Sequence, residues 1–217
     1  MNCAICHTRK PRRFCLGVNG EICSVCCGIE REQSIDCPLE CEYLREAHRH
    51  ESVPEVDPST LPNRDIRVTE EFLERNQALV LLLSSAVVSG AREIGAAVTD
   101  FDIREALESL IGVYRALDAG LYYEGLPPNP YAAAIHEAVQ ARVADLRKRE
   151  TEATGSATEI RDSMILMVLV FLQRLEYSNN NGRKHSRAFL DFLNQFYFPM
   201  PPVGEITPEP DEPRIIL

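Results

Sequence analysis

The segment ICSVCCGIE, residues 22–30, places three cysteines within five positions of the chain. Cys23 and Cys26 have the two-residue spacer that lets two thiolates face one metal ion, and a second pair with the same spacer lies upstream. Four thiolates complete the tetrahedral coordination that zinc adopts in structural sites. The two pairs therefore predict one zinc site with the ligands Cys3, Cys6, Cys23 and Cys26.

The four remaining cysteines form a second complete ligand set. Cys26 and Cys27 are neighbours, so their side chains leave the backbone in different directions, and we expect them to bind different ions. Gly28 follows and suits a tight turn after a ligand. The predicted second zinc site consists of Cys15, Cys27, Cys37 and Cys41, and Cys27 ties it to the first.

Other interpretations of the eight cysteines stay open on the sequence alone. Disulfides require an oxidising compartment, which nothing in the sequence indicates. A redox role, a metal cluster, or one zinc with four free thiols are further alternatives. A histidine could also replace a thiolate, although solvated surface side chains are the simpler interpretation of the nearby His7, His48 and His50.

Both predicted zinc sites are structural in type. A catalytic zinc keeps three protein ligands and one open position, whereas two sets of four thiolates leave no position open. We therefore expect the metal to hold a short segment that cannot bury enough apolar area to fold without it.

The interleaved ligand pairs of residues 3–41 resemble the cross-brace and treble-clef class of zinc fingers, which includes RING, B-box, MYND and HIT-type modules. The run CSVCCG followed by CPLEC departs from the pair-by-pair spacing of those families. The resemblance implies a module that interacts with proteins or nucleic acids, and it carries no specific enzymatic activity with it.

The composition is that of a soluble globular protein, with 45% hydrophobic and 26% charged residues among 217. The net charge of −10 disfavours nucleic acid as a general partner, because phosphate binding requires clustered Lys and Arg. The start of the chain does not look like a signal peptide, and the longest apolar run, Met164 to Leu172, is too short to span a membrane. We expect a cytoplasmic protein that does not enter a membrane.

A basic loop lies between the second and third cysteines. Its four positive side chains could bind phosphate or an acidic partner surface. The simpler interpretation is that they offset the negative charge of eight nearby thiolates. The residues concerned are Arg9, Lys10, Arg12 and Arg13.

The chain divides into four predicted parts. Residues 1–50 form the two-zinc module, which ends in a helix that Pro38 can open. Residues 51–66 are a proline-rich linker, and residues 67–198 form a helical bundle. Residues 199–217 are a proline-rich acidic tail, whose apolar end RIIL could pack on the bundle or on a second copy.

Apolar residues recur at helical spacing after the linker, which predicts an all-α bundle of about five helices. Thr69 and Asn129 are expected N-caps, the latter followed by a proline suited to the first helical position. Gly120 is expected to stop the second helix. The most apolar segment, residues 157–177, is predicted to be the central helix.

The bundle sequence contains no catalytic motif that we recognise. A polar turn before the last helix offers a possible anion site at Arg183, Lys184 and Arg187, although a plain helix–helix turn with solvated flanks is the simpler interpretation. The segment GLYYEGLPPNP could line a groove with Tyr122, Tyr123 and Glu124, or cap the core. An enzyme with a cryptic site would need Asn181, Arg183, His185 and Tyr123 to converge.

These observations favour a non-enzymatic zinc-binding protein that acts as an interaction or adaptor module. We expect a protein partner or self-association. The alternatives are a nucleic-acid-associated regulator that uses the loop at residues 9–13, and an enzyme with the cryptic site.

Overall fold

The computed structural model describes residues 2–51, 56–95, 97–123, 125–156 and 158–197. Within these ranges the chain is mostly helical, with eight α-helices and two short strands. The helical class predicted from the sequence is thereby confirmed. The predicted tail at 199–217 and Glu124 of the predicted groove lie outside the described residues.

The cysteine-rich part contains more regular structure than its sequence predicted. Strands β1 (Arg13–Cys15) and β2 (Gly20–Ile22) pair antiparallel, and helix α1 (Ser24–Glu30) follows them. Helix α2 (Glu42–His50) begins four residues after the expected start at Pro38, because the chain first makes a turn that ends at its N-cap. We call residues 2–51, which hold all eight cysteines, the cysteine module.

Six helices form the bundle in the described residues, one more than predicted. The expected first helix is broken at Asn76, whose side-chain amide donates to the Phe72 carbonyl oxygen at 2.8 Å and so competes with the helical hydrogen-bond pattern. The helices are α3 (Glu70–Arg75), α4 (Gln77–Ile94), α5 (Asp100–Asp118), α6 (Pro130–Thr154), α7 (Asp162–Asn179) and α8 (Ala188–Tyr197).

The predicted helix starts are confirmed by their hydrogen bonds. The Thr69 side chain accepts from the backbone N–H of Phe72 at 3.2 Å, and Asn129 caps α6 with Pro130 in the first turn. Helix α5 ends at Asp118, just before the expected stop at Gly120. The residues that order these ends are close in sequence, which is why the sequence reveals them.

The bundle buries one apolar cluster between helices that pack in pairs, α5 along α7 and α4 along α6. Gly90 lets α4 approach α6 closely, because a Cβ at this position would lie 3.0 Å from the Cβ of Ala138. The cluster is dominated by fully buried aliphatic side chains, among them Leu83, Ile103, Leu107, Leu110, Ile135, Ile165, Leu169 and Leu172.

Helix α4 is long and apolar enough to cross a membrane by length and composition, although 44% of it is buried within the structure. A core helix passes the same test, so this property alone carries little weight.

Two arginines of the bundle hold the segment that precedes it. Arg174 donates to the carbonyl oxygens of Asn63 and Ile66 at 2.8 and 2.9 Å, and Arg115 pairs with Asp65. The described part of the predicted linker therefore follows the bundle surface where these residues lie.

The cysteine module contacts the bundle through the turn between α7 and α8. The carbonyl oxygen of Glu32 accepts from the backbone N–H of His185 at 2.7 Å, and its carboxylate accepts from the N–H of Arg187 at 2.7 Å. Leu39 of the module is buried in the apolar cluster of the bundle. The contact is therefore both polar and apolar.

Candidate metal centre

The structure brings the first predicted set of cysteines together. The Sγ atoms of Cys3, Cys6, Cys23 and Cys26 all lie within 4.8 Å of one another. Four sulfurs around a tetrahedral zinc at about 2.3 Å would lie about 3.8 Å apart, so a small contraction suffices. This cluster, which we call the first thiol cluster, could hold a metal ion.

Backbone pairing positions the two halves of the cluster. The N–H of Ala4 donates to the Glu21 carbonyl oxygen at 2.8 Å, which lays the first cysteine loop beside β2. Strand β2 then leads directly into Cys23, the N-cap of α1. Because the cap starts the helix, Cys26 lies in its first turn and faces the loop of the other pair.

Two backbone donors and one guanidinium point at the sulfurs. The N–H of Cys23 donates to Cys3 Sγ at 3.2 Å, and the N–H of Cys26 donates to Cys23 Sγ at 3.4 Å. A hydrogen bond to Cys23 also raises the pKa of Arg9, whose positive charge lies near three of the thiols. Such donors stabilise the thiolate form, which is the form that binds metals.

The thiols of the cluster differ in their proton affinity. Hydrogen bonds from the Thr8 side chain and from the backbone of Thr8 and Arg9 lower the pKa of Cys6 to about 5. Burial, together with the neighbouring thiols, raises the pKa of Cys26 to about 12. A dication at the centre would displace the protons that remain, because cysteine ligates metals as the thiolate.

The second predicted set is close in space but less compact. Cys15 packs against the apolar cores around both Cys27 and Cys37. Burial raises the pKa of Cys37 to about 11, and the nearby thiols of Cys41 and Cys15 add to this rise. In the described part of the chain, however, these four sulfurs do not form a group within the 4.8 Å that the first cluster meets.

A further group of potential ligands consists of Glu32, His48 and Glu51. Hydrogen bonds within the chain already occupy it. His48 bridges Glu32 and Asp191 with its two ring nitrogens, at 3.1 and 2.9 Å, and the Asn181 amide donates to both Glu32 and Glu51. We call the contact of Glu32, His48 and Asp191 the buried triad.

The sequence did not reveal the buried triad. Its members come from three separate parts of the chain, and Glu32 adopts a left-handed backbone conformation with φ of 54°. Hydrogen bonds from His48 and Asn181 hold the pKa of Glu32 below its usual value despite burial. No local sequence pattern predicts such a contact, because His48 and Asp191 lie 143 residues apart.

The residues of the predicted anion site help to join the bundle to the cysteine module. Arg187 is buried and donates to the carbonyl oxygens of Cys37 and Gly95, at 3.0 and 3.2 Å. Arg183 donates to the Arg31 carbonyl oxygen and pairs with Glu51 at 3.0 Å. Lys184, between them, is exposed. Two of the three predicted cations thus bind groups of the chain itself.

The predicted basic loop is partly engaged as well. Besides the hydrogen bond of Arg9 to Cys23, the Arg13 guanidinium stacks over the Tyr43 ring at 3.8 Å. Lys10 and Arg12 have exposed side chains. The loop therefore places at least part of its charge beside the thiols, as one of the two sequence interpretations expected.

The residues of the cryptic enzyme site have separate surroundings. Tyr123 lines a cleft with Val113 and His136, whereas Asn181 and Arg183 contact the cysteine module. His185 pairs with Asp36 at 2.6 Å.

Of the three histidines near the cysteines, His7 and His50 are exposed, as the simpler sequence interpretation expected, whereas the His48 side chain is buried. His48 belongs to the buried triad, His50 pairs with Glu46, and His7 is exposed.

Comparison with protein-family models, curated proteins and solved structures finds no match for this chain.

Proposed function

We propose that this chain is a non-enzymatic zinc-binding protein in which structural zinc holds the cysteine module as an interaction surface on the helical bundle. One observation carries the proposal: four sulfurs lie within 4.8 Å of one another. Soft thiolate ligands in a tetrahedral set favour zinc, and four of them leave no position for a substrate or water.

A second zinc would bind Cys15, Cys27, Cys37 and Cys41. Support comes from the position of Cys15 between the two small cores of the module, and from the proximity of Cys37, Cys41 and Cys15. These sulfurs need to move closer together than the first set does. Metal binding to the first cluster would favour that movement, since Cys26 and Cys27 are adjacent on α1.

Exposed apolar side chains on the module support a protein partner. Phe14 and Leu16 lie in and after β1, while Val25 and Ile29 lie four residues apart on α1 and so share one face of it. Each of the four is at least 45% exposed. Exposed apolar side chains that adjoin one another, as Val25 and Ile29 do along α1, suit a protein partner.

Native mass spectrometry of the full chain tests the metal assignment. We expect a mass excess of two zinc ions that disappears in acid, after which all eight cysteines react with an alkylating reagent. The matched pair Cys26→Ser and Cys27→Ser separates the sites, because the two residues are adjacent but belong to different sets.

We expect Cys26→Ser to lose the zinc of the first site more readily, and Cys27→Ser to lose the zinc of the second site more readily. If Cys27→Ser leaves the zinc content unchanged, the second site is wrong while the first stands. If the wild-type chain carries no metal when purified with zinc present, the proposed function itself fails.

A further inference from the structure

A cleft of about 480 Å³ opens between α5 and α6 on the bundle, away from the thiols. Its volume lies within the range of pockets that bind ligands, roughly 300–1,000 Å³. Apolar and aromatic side chains dominate its wall, with one carboxylate at the edge. The residues that line it include Val113, Leu117, Tyr123, Leu126, His136 and Glu137.

The loop that borders the cleft exposes an unusual number of large apolar side chains. Tyr122 is 80% exposed, and Leu126 is 58% exposed. Leu121, Tyr123 and Tyr131 are also exposed, so five such residues fall within eleven positions. A cluster of exposed apolar side chains of this size is typical of a binding surface.

A chain of hydrogen bonds holds the loop against both helices. The Gln140 amide donates to His136 Nε2 at 2.7 Å, so the proton of the neutral ring lies on Nδ1, which faces Ser109 Oγ at 3.0 Å. Ser109 in turn donates to the Gly125 carbonyl oxygen at 2.6 Å. Burial lowers the pKa of His136, which keeps the ring neutral.

This arrangement argues for binding and against catalysis. The Ser109 proton points at the Gly125 carbonyl oxygen, so His136 donates to the hydroxyl and cannot act as its base. The bonds instead fix the tyrosine-bearing loop in place. An aromatic cleft of this type suits an extended apolar ligand that carries a proline, whose ring packs on an aromatic face.

We propose that the cleft binds residues 213–217 of this same chain, the sequence PRIIL. Pro213 would pack against the tyrosines, and Arg214 would pair with Glu137. Glu137 is exposed and forms no ion pair with any Lys or Arg in the described part of the chain. Ile215, Ile216 and Leu217 would fill the apolar wall.

The chain is long enough to reach the cleft. Helix α8 starts beside the first turn of α5, where the N–H groups of Phe189 and Leu190 donate to Asp100 at 3.0 Å. The cleft lies near the other end of α5, about 26 Å from the start of α8 at 1.5 Å per residue. Tyr197, at the end of α8, lies at most about 15 Å further, so the segment must span no more than about 41 Å. The residues between Tyr197 and Pro213 span about 50 Å as a polyproline II helix, at about 3.1 Å per residue.

Hydrogen exchange of the full chain, read by mass spectrometry over residues 119–131, tests the proposal. We expect slow exchange in the wild-type chain and at least tenfold faster exchange in Arg214→Glu and in Glu137→Arg. The double variant, which swaps the two charges, should restore the slow rate. Glu209→Gln, a charge change in the same segment but outside PRIIL, should leave the rate unchanged.

Equal exchange in the wild-type chain and Arg214→Glu would overturn the proposal, as would acceleration of the same size in Glu209→Gln. Protection that rises with protein concentration, together with a dimer mass, would mean that a second copy supplies the segment. That result would overturn binding within one chain. All these measurements are independent of zinc content, so their failure would leave the proposed function untouched.

Discussion

The cysteine module and the helical bundle are stabilised in different ways. The bundle buries one continuous cluster of large aliphatic side chains. The module has two small clusters, and in the larger one cysteines make up four of the five buried residues. A core of that size contributes too little apolar burial to offset the entropy of chain ordering. We therefore expect the bundle to fold by burial alone and, under the proposed function, the module to require metal.

The two parts meet through polar groups as well as apolar ones. Glu32 lies between α1 and Cys37, so its position depends on how the cysteines around it are held. Its carboxylate contacts both His48 and the turn before α8. If metal binding changes the module, we therefore expect the first change in the bundle at this contact.

The largest expected effect is the loss of the module on removal of metal. Structural zinc contributes about 10–16 kcal/mol of apparent binding free energy in zinc-finger peptides, far more than the small clusters of the module can replace. We expect a strong chelator to abolish hydrogen-exchange protection in β1, β2, α1 and α2. Helices α4 to α7 should stay protected under the same conditions.

The same experiment can show that the module and the bundle do not differ in this way. If α5 and α7 lose protection together with the module, the bundle depends on metal too, and the two parts form one cooperative unit. If the module stays protected without metal, its small clusters are sufficient.

A truncation in the core should have the next largest effect, and it should be confined to the bundle. Leu83 of α4 is fully buried, whereas Leu81 on the same helix is 46% exposed. We expect Leu83→Ala to lower the free energy of unfolding by about 2–5 kcal/mol, through lost burial and the cavity it leaves. Leu81→Ala should cost well under half as much, as measured by urea unfolding.

Zinc content provides the control for this pair. Both variants should bind the same amount of zinc as the wild-type chain, because α4 supplies none of the cysteines. A loss of zinc in Leu83→Ala, or equal costs for the two variants, would show that the division between the parts is drawn in the wrong place.

The features that the sequence predicted correctly are local. The Cys-x-x-Cys pairs and the caps at Thr69 and Asn129 depend on residues within a few positions of one another. The strands were missed because three residues are too few for an alternating pattern to be recognised. Helix α1 was missed because its cap is the sulfur of Cys23, which the sequence presents only as a metal ligand.

The features that the sequence could not predict depend on distant partners. Arg183 and Arg187 look like an anion site in the sequence, but their partners lie far upstream, among them the carbonyl oxygens of Arg31 and Cys37 about 150 residues away. Leu39 looks like a residue of the module, but it is buried in the bundle core. Such assignments require the packing of one part on the other, which no spacing in the sequence encodes.

The buried triad should make the stability of the contact between module and bundle depend on pH. We expect this to be the smallest of the effects. Carboxylates on both sides raise the pKa of His48 to about 9 despite its burial, from a usual value of 6.5. A raised pKa means that the folded state favours the protonated ring. The stabilisation is therefore complete below pH 6.5 and is lost as the pH rises through about 9. It amounts to on the order of 3 kcal/mol at about 1.4 kcal/mol per pKa unit.

The variant His48→Gln isolates this contribution, since Gln cannot carry the positive charge that both Glu32 and Asp191 face. Metal binding to thiolates also depends on pH, so the informative quantity is the difference in unfolding free energy between the variant and the wild-type chain. We expect urea unfolding to give a difference of about 3 kcal/mol at pH 6 that shrinks markedly by pH 9.5. A difference that stays constant with pH would mean that His48 acts by packing alone, and the contact would then owe nothing to the charge of the triad.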